Sequence, residues 1–179
     1  YMKKKELVDF IVGLLLMFLA VIIILLPTFK ITNIKIVLLT IFGFYTIFKI
    51  VSFILTYKEK DYESLFTSLV SGSSLIATNL IELTTKNIAL ILMIWMGLMS
   101  LIKLKKADFY HDRENKMWIL RLLILFIFIA SGLLTSINLF YDNSVQILLI
   151  GYFFLVNSIL DTISPLIEYI SRGIYESNK

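Results

Sequence analysis

The sequence predicts an all-α polytopic membrane protein: six transmembrane helices in three sequential helical hairpins with short loops, then a C-terminal interfacial helix. Three observations carry this. Of the 179 residues, 59% are apolar and only 17% charged, too few polar groups to screen several long apolar runs from water. Six stretches hold no charged residue at all, as hydrocarbon demands of a spanning segment. The basic residues gather in alternate connections.

The charge-free stretches are Phe10–Phe29, Ile36–Phe48, Ser64–Ile81, Asn87–Ile102, Leu122–Tyr141 and Asn143–Leu160, most of them close to the ~20 residues a helical span needs. The second is extended by Ile50–Tyr57, with Lys49 between. Backbone groups in hydrocarbon must pair within their own segment, and these runs lack the alternation of barrel strands, so each is expected to be a helix. Lys3, Lys4 and Lys5 ahead of the first run have the look of a signal peptide, but the apolar stretch is long and no small-residue cleavage site follows, so it is expected to be retained. Met2 reads as the native start, with Tyr1 an added residue.

The longest polar connection, Lys103 to Lys116, leaves no room for a separate soluble domain. The chain reads as a single membrane domain over 1–179, with hairpins at about 7–57, 62–104 and 117–163 and an interfacial tail over 164–179. In that tail Leu166, Ile167, Tyr169, Ile170, Ile174 and Tyr175 interleave with Glu168, Arg172 and Glu176, and Ser164-Pro165 is a helix-start pattern. Of the 17 Lys and Arg residues only Lys30, Lys35 and Lys86 fall in the other set of turns. Cytoplasmic loops hold positive charge, so both termini are expected on the cytoplasmic side. Tyr57, Tyr62, Tyr110 and Trp118 fit the inner interface and Tyr141 the outer one.

An internal repeat runs at an offset of 54 residues: Asn33–Ile50 aligns without a gap onto Asn87–Leu104. Gly43-Phe-Tyr-Thr-Ile-Phe-Lys49 falls on Gly97-Leu-Met-Ser-Leu-Ile-Lys103, and Asn33-Ile34 on Asn87-Ile88 at the start of each helix. A third copy follows at Gly151-Tyr-Phe-Phe-Leu-Val-Asn157. The hairpins start on the same side, so the repeats are parallel and a pseudo-threefold bundle is expected.

Three short hairpins, each with a glycine midway along its second helix (Gly43, Gly97 and Gly151), make the chain resemble the HdeD family of small bacterial membrane proteins. The resemblance runs from about Leu7 to Ile163 and takes in Pro27 at the outer end of the first helix. Repeats two and three lack that proline, and the third lacks the lysine. The resemblance implies a multi-pass protein of the bacterial inner membrane, linked to acid or other stress resistance, with no catalytic residues to carry over.

Polar residues within the spans are the remaining functional candidates, since in lipid they must face a protein partner or a wet cavity. In the third helix Ser64, Thr67, Ser68, Ser71, Ser74, Thr78 and Glu82 fall on one face, with Gly72 and Asn79 beside it. Close helix packing explains such a stripe; a hydrophilic path mouthed by Glu82 is the alternative. In the fifth helix Gly132 and Ser136 form a small-xxx-small pair that predicts contact between the outer halves of helices three and five. Lys49 and Lys103 share a repeat position near the inner boundary, where lysines snorkel. Asp161 lies a turn beyond the matching place in the last helix, so an ion pair to one of them is expected, with Asp9 as an alternative partner.

There is no cysteine, no phosphate-binding Gly loop and no zinc signature, and the single histidine, His111, has no second nearby. The expectation is a protein without enzymatic activity, cofactor or metal. Its expected partner is the lipid bilayer and not nucleic acid, because the basic loop also carries Asp108, Asp112 and Glu114; a homo-oligomer is compatible with the surface. Two function classes follow: a stress-protective membrane protein acting through partners or the bilayer, and a small channel or transporter with a polar path along the third helix.

Overall fold

A computed structural model describes residues 2–59, 61–112, 117–140 and 142–177, with side chains described through residue 170. These residues form six helices: α1 (Lys4–Leu25), α2 (Ile34–Leu55), α3 (Tyr62–Leu80), α4 (Thr85–His111), α5 (Met117–Ile137) and α6 (Asn143–Ser177). No strand occurs among the described residues. Five of them, all but α3, are long and apolar enough to cross a membrane; α3 falls short on composition because of its Ser and Thr residues.

Local chemistry sets the boundaries. Pro27 ends α1 by starting a 3-10 turn, Leu26–Phe29, closed by Lys30 in the left-handed region at φ 60°. Asn33 caps α2 by accepting the Ile36 amide, Asp61 caps α3 by accepting that of Ser64, and Thr84 caps α4 by accepting that of Asn87. Asp142 does the same for α6 with the Val145 amide. Asn33 and Asn87, paired by the repeat, are therefore not equivalent: Asn33 lies just before its helix, whereas Asn87 lies inside α4 and donates its side-chain amide to the Glu82 carbonyl.

One polar segment expected as a connection is helical instead, and one helix expected to be separate is continuous with its neighbour. Lys103 to His111 continues α4, consistent with the good helix propensity of its Lys, Leu and Ala residues; Arg113, Glu114 and Lys116 of the same expected loop lie outside the described residues. The interfacial helix expected to start at Ser164-Pro165 does not start there, because α6 runs unbroken through Pro165. Arg121 of α5 binds the Ser164 hydroxyl and, at 3.0 Å, the Ser164 carbonyl, while Ile167 is buried against the bundle. These contacts hold the turns on both sides of Pro165, a residue that otherwise tends to break a helix.

The helices close into a ring in chain order, with α6 returning to α1. The most extensive contacts are α1 with α6, α2 with α3 and α4 with α5; the expected hairpin pairs α1–α2, α3–α4 and α5–α6 touch less. The middle is filled by aromatic side chains. Trp95 of α4 is fully buried, with its ring centroid 6.0 Å from Phe42, 5.6 Å from Tyr45, 5.9 Å from Phe153 and 5.0 Å from Phe154. Rings of α2, α4 and α6 therefore interlock on the inside of the bundle. Repeat positions agree with this: Tyr45, Met99 and Phe153, each separated by the 54-residue offset, are all buried.

Candidate functional site

Most hydroxyls of the polar stripe of α3 are hydrogen-bonded. Ser64, Thr67, Ser68, Ser71, Ser74 and Thr78 are all buried. Ser68 donates to the Leu65 carbonyl at 2.7 Å, Ser74 to Val70 at 3.0 Å and Thr78 to Ser74 at 2.8 Å, all within the helix. The remaining bonds go to neighbouring helices: Ser71 accepts the Trp95 indole N–H at 3.1 Å, and Ser64 lies 3.2 Å from the Ser52 hydroxyl of α2. Gly72 faces Thr46 of α2, where an added Cβ would sit in ordinary van der Waals contact at 3.6 Å from its methyl, so close approach there does not require glycine. Glu82 does not belong to the stripe. The helix ends at Leu80, and Glu82 is exposed beyond it.

Lys103 and Asp161 meet at 2.5 Å, linking α4 to α6. From this pair a hydrogen-bonded chain enters the bundle. Asn157 donates its amide to Asp161 at 3.3 Å and to the Tyr45 hydroxyl at 2.6 Å; Tyr45 lies 3.4 Å from Ser158, whose hydroxyl donates to the Phe154 carbonyl. At the 54-residue offset Asn157 falls where Lys49 and Lys103 stand, and its amide is the group that donates to Asp161. Its Oδ1 is buried without a partner.

Lys49 and Asp9, the other two candidates for a charge cluster, are not joined to that pair. Lys49 is buried, and no carboxylate among the described residues lies within 4 Å of its ammonium. Asp9 is the acid with the strongest electrostatic influence on it and accepts the Ser52 hydroxyl at 3.4 Å.

A larger assembly joins charges that the sequence scatters. At the end of the bundle bearing both termini, Asp61 pairs with Lys5 at 2.8 Å and Lys5 approaches Glu63 at 4.0 Å. Glu63 pairs with Lys106 at 3.0 Å, Lys106 with Glu168 at 2.8 Å, and Glu168 with Arg121 at 2.9 Å. The six charges alternate in sign and tie α1, α3, α4, α5 and α6 together. Sequence reasoning treated these lysines as topology signals and passed over Glu63; the available clue was that this acid stands directly before the charge-free run from Ser64. Burial favours the neutral form of Asp61, as does the charge of Glu63. Hydrogen bonds from the Lys5 and Ser64 side chains, with the Lys5 charge, outweigh both and hold the carboxyl below the usual carboxylate range.

Gly132 and Ser136 are buried in α5, but they do not bring α5 onto α3. A Cβ at Gly132 would strike Met96 of α4 and come within 3.1 Å of Phe153 of α6. The gap that the small residue leaves is filled by those two side chains, so α4 stands where α3 was expected. Of the three repeat glycines, only Gly151 is needed for close approach: its Cβ would meet Ile24 of α1 at 2.8 Å, whereas Gly43 and Gly97 have nothing within 4 Å.

Among the described residues no three His, Asp or Glu side chains converge as metal ligands. No family model, curated protein or solved structure matches this chain.

Proposed function

We propose that the chain is a six-span membrane protein of the bacterial inner membrane, α3 included, with both termini cytoplasmic. It works without catalysis or transport, as a sealed bundle acting through the bilayer or a protein partner. The 19 residues of α3 reach about 28 Å at ~1.5 Å per residue, close to the ~30 Å hydrocarbon thickness. Its polarity is compatible with spanning because the hydroxyls face α2 and α4. The 35-residue α6 exceeds that thickness, so its end beyond Pro165 emerges at the cytoplasmic interface, where the alternating charges sit among headgroups.

The observation that carries the sealed reading is the Trp95 cluster: five ring neighbours occupy the middle of the bundle, while Ser68, Ser74 and Thr78 of the α3 stripe bond back to carbonyls of their own helix and Ser71 accepts the Trp95 indole N–H. The second reading, a small channel or transporter, draws on the Lys103–Asp161–Asn157–Tyr45–Ser158 chain. That chain ends on the Phe154 carbonyl, among the rings, which ranks transport second. The resemblance to the HdeD family adds acid or envelope stress as the biological setting. A deletion strain challenged with acid tests that setting: lower survival, restored by the wild-type chain, is expected, and survival equal to the parent's would remove stress protection from the proposal.

A further inference from the structure

Between α3 and α4, at the end bearing the termini, lies a groove of about 870 Å³, inside the ~300–1,000 Å³ typical of small-ligand sites. Its lining has two parts. Phe66 and Val70 of α3 face Leu98, Leu101 and Ile102 of α4, and above this apolar slot stands a charged rim. Phe66, Leu98 and Leu101 are also 55%, 40% and 60% exposed, so in a membrane the slot opens sideways to lipid tails.

The rim charges divide as well. Lys5, Glu63, Lys106 and Glu168 are engaged with one another in the alternating chain. Lys105 and Glu59 are not. Both line the groove, both are exposed, and among the described residues neither has an opposite charge within 4 Å, including each other. One unpaired cation and one unpaired anion over an apolar slot open to lipid match an amphiphile whose head carries both signs.

We propose that this groove binds one glycerophospholipid with a phosphoethanolamine head: the phosphate at Lys105, the ammonium at Glu59, and an acyl chain in the slot between α3 and α4. Both head contacts are charge-assisted and sit at the depth where headgroups lie. The inference rests only on the chain being membrane-embedded with this end at the interface. Absence of lipid binding would leave the sealed-bundle reading standing, and ion flux would leave the lipid site standing.

Native mass spectrometry of the full chain in detergent, titrated with phosphatidylethanolamine or phosphatidylglycerol, tests it. The wild type is expected to retain one phosphatidylethanolamine in a saturable manner. Lys105→Gln should weaken both lipids about tenfold, the value of one charged hydrogen bond. Glu59→Gln should weaken phosphatidylethanolamine about tenfold and leave phosphatidylglycerol unchanged. Val70→Trp, which fills the slot, should reduce both. The Lys105 and Glu59 variants alter exposed residues outside the ion chain, so they remain decisive if Val70→Trp does not fold. Binding that never saturates, or that is the same in the wild type and both head-contact variants, would overturn the proposal, as would phosphatidylglycerol binding as tightly as phosphatidylethanolamine.

Discussion

Trp95 donates its indole N–H to the Ser71 hydroxyl at 3.1 Å, with both side chains fully buried. This bond fastens the aromatic centre of the bundle to the polar stripe of α3, and it separates the one hydroxyl in that stripe that serves a neighbour's indole from those that serve their own helix.

Ser71→Ala leaves the Trp95 N–H buried without an acceptor and should cost about 1–3 kcal/mol. Ser68→Ala removes a hydroxyl that only bonds back to the Leu65 carbonyl, a bond of little net value, and should change stability by less than about 0.5 kcal/mol. Thermal unfolding of the two variants in detergent checks the contrast; equal losses would mean that the hydroxyls are interchangeable.

Asp161→Asn and Lys103→Gln each leave a partner uncompensated. The side chains are 16% and 12% exposed, so each loss should fall at about 1–3 kcal/mol, below the ~3–5 kcal/mol of a fully buried pair. The double variant should lose less than the sum. Strict additivity in a denaturation cycle would show that the 2.5 Å contact contributes nothing.

Glycine substitutions should divide the repeat. Gly43→Ala and Gly97→Ala place a methyl in open space and should stabilise their helices by about 0.5–1 kcal/mol. Gly151→Ala drives a methyl into Ile24 and should cost about 1–3 kcal/mol. A uniform loss at all three positions would point to a shared requirement beyond packing within one chain.

The folded-state pKa of Asp61 lies below its unfolded value, so its stabilisation is complete above the ordinary aspartate value of about 3.9 and is lost as pH falls through the folded one. Mild acid therefore leaves the Lys5–Asp61 contact intact. The drop in unfolding temperature caused by Asp61→Asn should be the same at neutral pH and about pH 5, and should shrink only below about pH 4. A difference already gone at about pH 5 would contradict the depressed pKa.

Much of the fold is legible as charge-free runs, because hydrocarbon tolerates few alternatives to an apolar helix. The α3 face is legible from hydroxyls at helical spacing, and the register of Lys103 with Asp161 from the repeat. What the residues conceal is which helix meets which. Gly132 announces a close approach without saying that Met96 and Phe153 supply it. The alternating chain from Asp61 to Arg121 joins residues from five helices, and each of its lysines has a sufficient local explanation in topology. The helical end of α4 is hidden for a related reason: a polar run beyond a span reads as loop until Lys106 is seen to need α4 to reach Glu63 and Glu168.

The most direct measurement of the central claim is ion flux through liposomes holding the purified chain, followed with a pH-sensitive dye and with potassium and sodium gradients at neutral and mildly acidic pH. A bundle closed by Trp95 and its neighbouring rings should leave flux at the level of protein-free liposomes in every condition. Flux that scales with protein and falls on Asp161→Asn would contradict the sealed bundle and establish the polar chain as a conduit.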